Sequence, residues 1–149
     1  MDADKNKLRW CMKQKKGIAL TETKPHLSDS YMREADDTLE NVLVTKGKWK
    51  VITAYYACYN ALYSILMKCG IRSEIHDCSI ELMALFDFEE SDIKYIRTLK
   101  QDRIQVQYYL EKIYLEDENN VRKFIFKCKQ ILNDLNSSKI ENARKLLES

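Results

Sequence analysis

Apolar positions recur at helical spacing through most of the chain, and the pattern changes in kind from one stretch to the next. From Ser28, the run SDSYMREADDTLENVLVTK places Tyr31, Ala35, Leu39 and Val42 on one face, as an amphipathic helix requires. Ser28 stands where an N-cap belongs, and acids fill the early turns. Gly47, in KGKWK, interrupts the pattern. The next helix, about 48–69, is apolar around almost its whole circumference. Thr53, Asn60, Ser64 and Lys68 leave it only a thin polar stripe. Such a helix predicts a central position with neighbours on several sides. Gly70 follows where a left-handed residue closes a helix.

A shorter helix is predicted over HDCSIELMALFDF, residues 76–88. Residues 91–116, SDIKYIRTLKQDRIQVQYYLEKIYLE, then space Ile96, Leu99, Arg103, Val106, Leu110 and Ile113 by alternating threes and fours. That is a bundle seam, and one of its members is an arginine. A polar loop at EDENN precedes a further amphipathic helix on Val121, Phe124, Cys128, Ile131 and Leu135. The tail adds a turn or two on Ile140, Ala143 and Leu147. The expectation is an all-α, up-and-down bundle of about five helices over residues 28–149. An N-terminal extension, residues 1–27, precedes it. There KNKLRWCMKQ has the pattern of a short helix, and KKGIALTETKPHL that of a loop.

Composition sharpens this picture. Three glycines and one proline in 149 residues favour long helices over a turn-rich sheet. The formal charge of +2 gives no global nucleic-acid footprint and leaves a local patch open. No apolar run approaches membrane-spanning length, and the charged start has no apolar core of a secretory signal. The expected location is therefore cytoplasmic. Cysteines 11, 58, 69, 78 and 128 are odd in number and form no CxxC pair, which predicts reduced packing thiols rather than a disulfide framework or metal cluster. With no phosphate-cradling glycine loop, GxSxG, HExxH or acidic cluster, neither metal nor cofactor is expected.

Candidate chemistry starts at Arg103, because an arginine in an apolar seam demands a buried partner, a solvated opening or an anion. Snorkelling or pairing with an acid would make it structural. Lining a cleft would aim its fixed fork of donors at a phosphate. His76, at a helix start beside Asp77, is either a hydrogen-bonding residue or a general base near neutral pH. His26, in a loop beside Pro25, has no supporting pattern. Tyr55, Tyr56, Tyr59 and Tyr63 share one helix, and Tyr108 and Tyr109 follow Arg103. Tyrosines at such spacing serve as core or interface, or more weakly as a stacking platform for bases.

The stretch AYYACYNALYSILMKCGIRSEIHD, residues 54–77, resembles the signature of HEPN (higher eukaryote and prokaryote nucleotide-binding) domains. The match runs through Ala54, Tyr55, Tyr56, Ala57, Ala61, Leu62, Gly70 and His76. RIQVQY, with Arg103, Val106, Gln107 and Tyr108, is similar to the family's later motif, where Ala-Asp is usual in place of Val106-Gln107. The resemblance covers roughly residues 28–135. It implies an up-and-down helical homodimer, often encoded beside a minimal nucleotidyltransferase in toxin–antitoxin or defence pairs. Many relatives of that kind are metal-independent ribonucleases using an arginine and a histidine a few residues on. No histidine follows Arg103 here, so that pair is incomplete.

Three functions follow as expectations. The first is a nucleotide- or RNA-binding module, with Arg103, Tyr108, Asn60 and Tyr56 as ligand-binding residues. The second is an endoribonuclease toxin in which Arg103 clamps the phosphate and His76 moves protons, without metal. The third is a purely structural dimerising bundle.

Overall fold

The computed structural model describes residues 4–148. Met1–Ala3 of the expected extension, and Ser149 at the end of the tail, lie outside the described residues. Seven α-helices are seen among the described residues: α1 (Lys5–Lys13), α2 (Pro25–Val44), α3 (Lys48–Cys69), α4 (His76–Glu81), α5 (Glu90–Tyr108), α6 (Asn119–Asp134) and α7 (Ser137–Lys145). A 3-10 turn over Leu82–Leu85 continues α4. The all-α bundle expected from the periodicity is present. The helix count exceeds five because the short helices at the two ends are complete elements.

The central element is α3. Fifteen of its residues are buried, among them Tyr55, Leu62, Ile65 and Leu66 with no exposure at all. Against it pack α2, α5 and α6, which is what a helix apolar on nearly every side needs. The short connector 45–47 returns the chain, so α2 and α3 are antiparallel. Their far ends are locked where Ser28 Oγ donates to the Ser64 carbonyl at 2.7 Å and Ser64 Oγ donates back to the Ser28 carbonyl at 2.8 Å. Two expectations change here. Ser28 is no N-cap, because α2 begins at Pro25 and carries Ser28 into the core. Ser64 belongs to no polar stripe. Small hydroxyl residues that satisfy each other's backbone can be buried at a close helix–helix contact.

Gly70 closes α3 in the left-handed conformation at φ +68°, its N–H reaching the Leu66 and Met67 carbonyls. A Cβ there would also strike the Thr21 carbonyl and the Arg144 guanidinium. Arg144 of α7 donates to the carbonyls of Thr21, Cys69 and Gly70 at 2.8–3.0 Å, so the last helix satisfies acceptors that the end of α3 leaves free. Beyond Gly70, Ile71–Arg72 pairs antiparallel with Ala19–Leu20 in a two-residue ladder. That ladder is a departure from the loop expected at KKGIALTETKPHL.

Two further departures bear on function. Cys11 and Cys78 form a disulfide that joins α1 to α4 across 67 residues. The expectation of five reduced thiols is therefore corrected to three: Cys58, Cys69 and Cys128 are free and buried. Spacing along the chain carries no sign that α1 folds back onto α4. The seam helix also ends early. Ile96, Leu99, Arg103 and Val106 are buried as expected, but α5 stops at Tyr108. Leu110 takes a left-handed φ of +55° and is exposed. The Glu111 N–H folds back to the Gln105 carbonyl at 3.0 Å. Leu110 and Ile113 thus lie outside the helix they were assigned to.

Candidate functional site

Tyr55, Tyr59 and Tyr63 are spaced by four on α3 and so stack along one face. Successive ring centroids lie 5.9 Å apart. Each hydroxyl holds a different point of the segment that follows Gly70. Tyr63 Oη accepts from the Ser73 N–H at 3.2 Å. Tyr59 Oη bonds Ser79 Oγ at 2.8 Å, and Ser79 Oγ donates onward to Ser73 Oγ at 3.0 Å. Tyr55 Oη bonds His76 Nδ1 at 2.6 Å. The His76 ring lies almost flat on Tyr59, at 4.0 Å between centroids and 14° between planes. A tyrosine-dense helix followed by Gly-Ile is thus a ladder that fixes where the histidine stands.

Arg103 reaches the same ladder from α5. Its guanidinium carbon lies 4.9 Å from the Tyr55 ring centre and 5.5 Å from that of Tyr56, within cation–π range. Nη1 donates to Tyr56 Oη at 3.1 Å and, at a long 3.5 Å, to the Gln107 side-chain carbonyl. Nε is enclosed without a hydrogen-bond partner. The residue is only 8% exposed, and none of the carboxylate pairs among the described residues includes it. A cation this buried without an acid is uncommon, because desolvation is ordinarily offset by an opposite charge.

Burial, and then charge, set the state of the site's histidine. Burial lowers the affinity of His76 for a proton, Arg103 and Lys100 act in the same direction, and Asp77 opposes them. Asp77 is itself paired with Lys100 at 3.1 Å. The ring is therefore held towards its neutral form, able to accept a proton. Burial first, and Tyr59 next, push the Tyr55 phenol far above its ordinary range, so it stays protonated.

Arg103, Tyr56 and His76 thus come together around Tyr55. Asn60, one turn beyond Tyr56 on α3, is half-buried. Tyr108 is the last residue of α5 and is 65% exposed. It takes no part in the hydrogen bonds or ring contacts of the cluster. The expected catalytic and ligand-binding residues did not include Tyr55, Tyr59, Gln107 and Lys100. A signal existed for the last two: Lys100 and Gln107 are one turn either side of Arg103 and share its face. The hollow of about 550 Å³ bordered by Glu81, Lys94, Arg97 and Thr98 is a separate feature of the surface. Among the described residues, no group of three His, Cys, Asp or Glu side chains is placed to hold a metal. No helix among them is long and apolar enough to cross a membrane. Comparison with family models, curated proteins and solved structures finds no match to this chain.

Proposed function

We propose that the chain is a HEPN-type nucleotide- or RNA-binding module of a toxin–antitoxin or defence system, with Arg103 as the residue that holds a phosphate. The observation that supports it is the guanidinium itself: nearly buried, framed by two tyrosine rings, lacking an acid, with Nε unused. A phosphate oxygen pair matches the fork of donors that tyrosine hydroxyl and amide only half occupy. Fluorescence titration of labelled RNA and of ATP against wild type and Arg103→Ala tests the reading. Binding unaffected by the substitution would defeat it.

A second reading follows from a specific contact. His76 and Arg103 both rest on Tyr55, so a histidine from outside α5 stands in the neighbourhood where the family's pair would act. With Tyr55 Oη accepting from Nδ1–H, the Nε2 lone pair is free to take the proton of a ribose 2′-hydroxyl as its oxygen bonds to phosphorus. Nε2 then returns it to the 5′-oxygen as the P–O5′ bond breaks, leaving a 2′,3′-cyclic phosphate, while Arg103 stabilises the phosphate. No metal enters this scheme. RNA cleavage in the presence of a chelator, lost in both His76→Ala and Arg103→Ala, is the expected result. Cleavage surviving both changes belongs elsewhere.

Homodimerisation and a minimal nucleotidyltransferase partner complete the proposal on the strength of the resemblance. Light scattering should give about twice the 17.7 kDa chain mass, and a nucleotidyltransferase reading frame should adjoin this one. A cytoplasmic location, also proposed, requires Cys11 and Cys78 to meet a reducing milieu. The fold must then tolerate the open pair.

A further inference from the structure

Residues 5–16, KNKLRWCMKQKK, carry six cations and no anion, although the whole chain has a formal charge of only +2. The remainder is therefore net acidic. Lys5, Arg9 and Lys13 recur every fourth residue on α1, so like charges face each other along one stripe. Each such pair destabilises a helix, and Lys5 also sits at the dipole's positive end. None of the six cations joins an ion pair among the described residues. Beyond Lys13 at the dipole's negative end and Lys7 over the Trp10 ring, the fold gains nothing evident from this arrangement.

The apolar side of the same helix is already used. Leu8 and Cys11 are buried, and Cys11 is bonded to Cys78. What α1 presents outward is its charged stripe and Trp10, 48% exposed, with Lys7 Nζ 5.2 Å from the ring centre. A bilayer-binding helix needs its apolar face free for insertion, and here that face is in the core. Spaced cations around an exposed indole fit a strand of phosphates with unstacked bases.

We propose that α1 is a docking strip for the backbone of single-stranded RNA, with Trp10 stacking on a base. The strip is fixed to the scaffold beside the candidate site. The buried Leu8 side chain and the Lys16 carbonyl, which accepts from the Glu74 N–H at 2.9 Å, hold it there, and the disulfide adds a covalent tie when oxidised. Residue 74 lies two positions before His76. The identity of the polymer as RNA rests on the reading of Arg103 given above; the charge asymmetry does not.

The test is fluorescence anisotropy with a labelled oligouridylate, over a series of salt concentrations. It compares wild type, the triple variant Lys5→Ala/Arg9→Ala/Lys13→Ala, and Arg103→Ala. The three substitutions are on an exposed stripe, so the melting temperature should hold or rise. Affinity at low salt should fall at least about tenfold in the triple variant, and the slope of log affinity against log salt should shrink by about 2, at about 0.7 per lost single-strand contact. In a Trp49→Phe background, the remaining Trp10 emission should be quenched by RNA. A triple variant that binds like wild type overturns the strip, even if Arg103→Ala loses binding and the Arg103 reading survives. Loss in the triple variant with none in Arg103→Ala supports the strip and overturns the Arg103 reading. Wild type that binds phosphatidylserine vesicles but no oligouridylate overturns the strip.

Discussion

Replacing Arg103 separates a binding residue from a structural one, because the structure sets what the fold can lose. Nη1 makes one sound hydrogen bond, to Tyr56, worth about 1.5–3 kcal/mol for a charged donor. The two ring contacts add about 1–2 kcal/mol. Against these stands the desolvation of a nearly buried guanidinium, which costs several kcal/mol and is recovered when the charge is removed. No carboxylate is left stranded, so the about 3–5 kcal/mol penalty of a broken buried ion pair does not apply. Arg103→Met, which keeps most of the volume, should therefore change stability by no more than about 1 kcal/mol, or about 4 °C in melting temperature. RNA affinity should fall by about 10- to 150-fold, the equivalent of about 1.5–3 kcal/mol for lost charge-assisted bonds. Arg103→Lys should recover little, since a point charge has no fork. Gln107→Glu provides the converse: a carboxylate one turn from Arg103 should pair with it and so block the anion. Differential scanning fluorimetry and anisotropy on the same preparations give both numbers. A loss of more than about 8 °C in Arg103→Met with unchanged RNA binding would refute the reasoning and make the residue a strut.

Other outcomes follow from the same structure. Leu62→Ala, at a site with no exposure on α3, should cost about 2–5 kcal/mol in urea denaturation; a cost below about 1 kcal/mol would mean that α3 is not the packed centre. Cys78→Ser removes a bond that closes 67 residues, and chain entropy assigns about 4 kcal/mol to such a loop. The variant should melt roughly 10 °C lower than the oxidised protein and match the reduced wild type, and identical melting of oxidised and reduced protein would contradict this. His76 has a folded proton affinity below its unfolded one. The unfolded chain then binds more protons, and stability is complete above the unfolded value of about 6.5. It is lost as pH falls through that value towards the lower folded one. Stability measured from pH 7.5 to 5 should fall more steeply in wild type than in His76→Gln, and parallel profiles would sink the assignment.

Much of the fold was legible because α3 is apolar all round and Gly70 can only end it, which together fix a central helix and its stop. The seam of α5 was legible as far as Val106. Beyond it the period continued in sequence while the chain left the helix at Leu110, since spacing cannot report where a backbone turns left-handed. Ser28 and Ser64 misled for a related reason: their polarity reads as surface until each is seen to satisfy the other's carbonyl. The Cys11–Cys78 bond is a contact between segments 67 residues apart, and neither segment has a pattern that points at the other. At the site, Arg103 was visible as a rule broken within an apolar seam. The role of Tyr55 as common support for Arg103 and His76 was not, because it needs the crossing of α3 and α5 and the return of the loop after Gly70.

The charge balance around Tyr55 is the strongest reason to treat the cluster as more than packing. Arg103 and Lys100 bring two positive charges to one side of the bundle, and Asp77 answers only Lys100. Glu81, the other acid of α4, is engaged by Arg97 at 2.7 Å. An acid at position 107 would neutralise Arg103 within one helical turn at little cost, yet the residue there is an amide that accepts at 3.5 Å. His76 cannot compensate either, because an imidazole is neutral or cationic, and burial first, then Arg103 and Lys100, lower its affinity for a proton. The hydrogen-bond partners of the guanidinium are neutral acceptors, and the rings it lies over are tyrosines. A protein that needed Arg103 only to hold α5 against α3 would be better served by an apolar residue of the same size. The arrangement makes physical sense when the missing negative charge arrives from outside the chain.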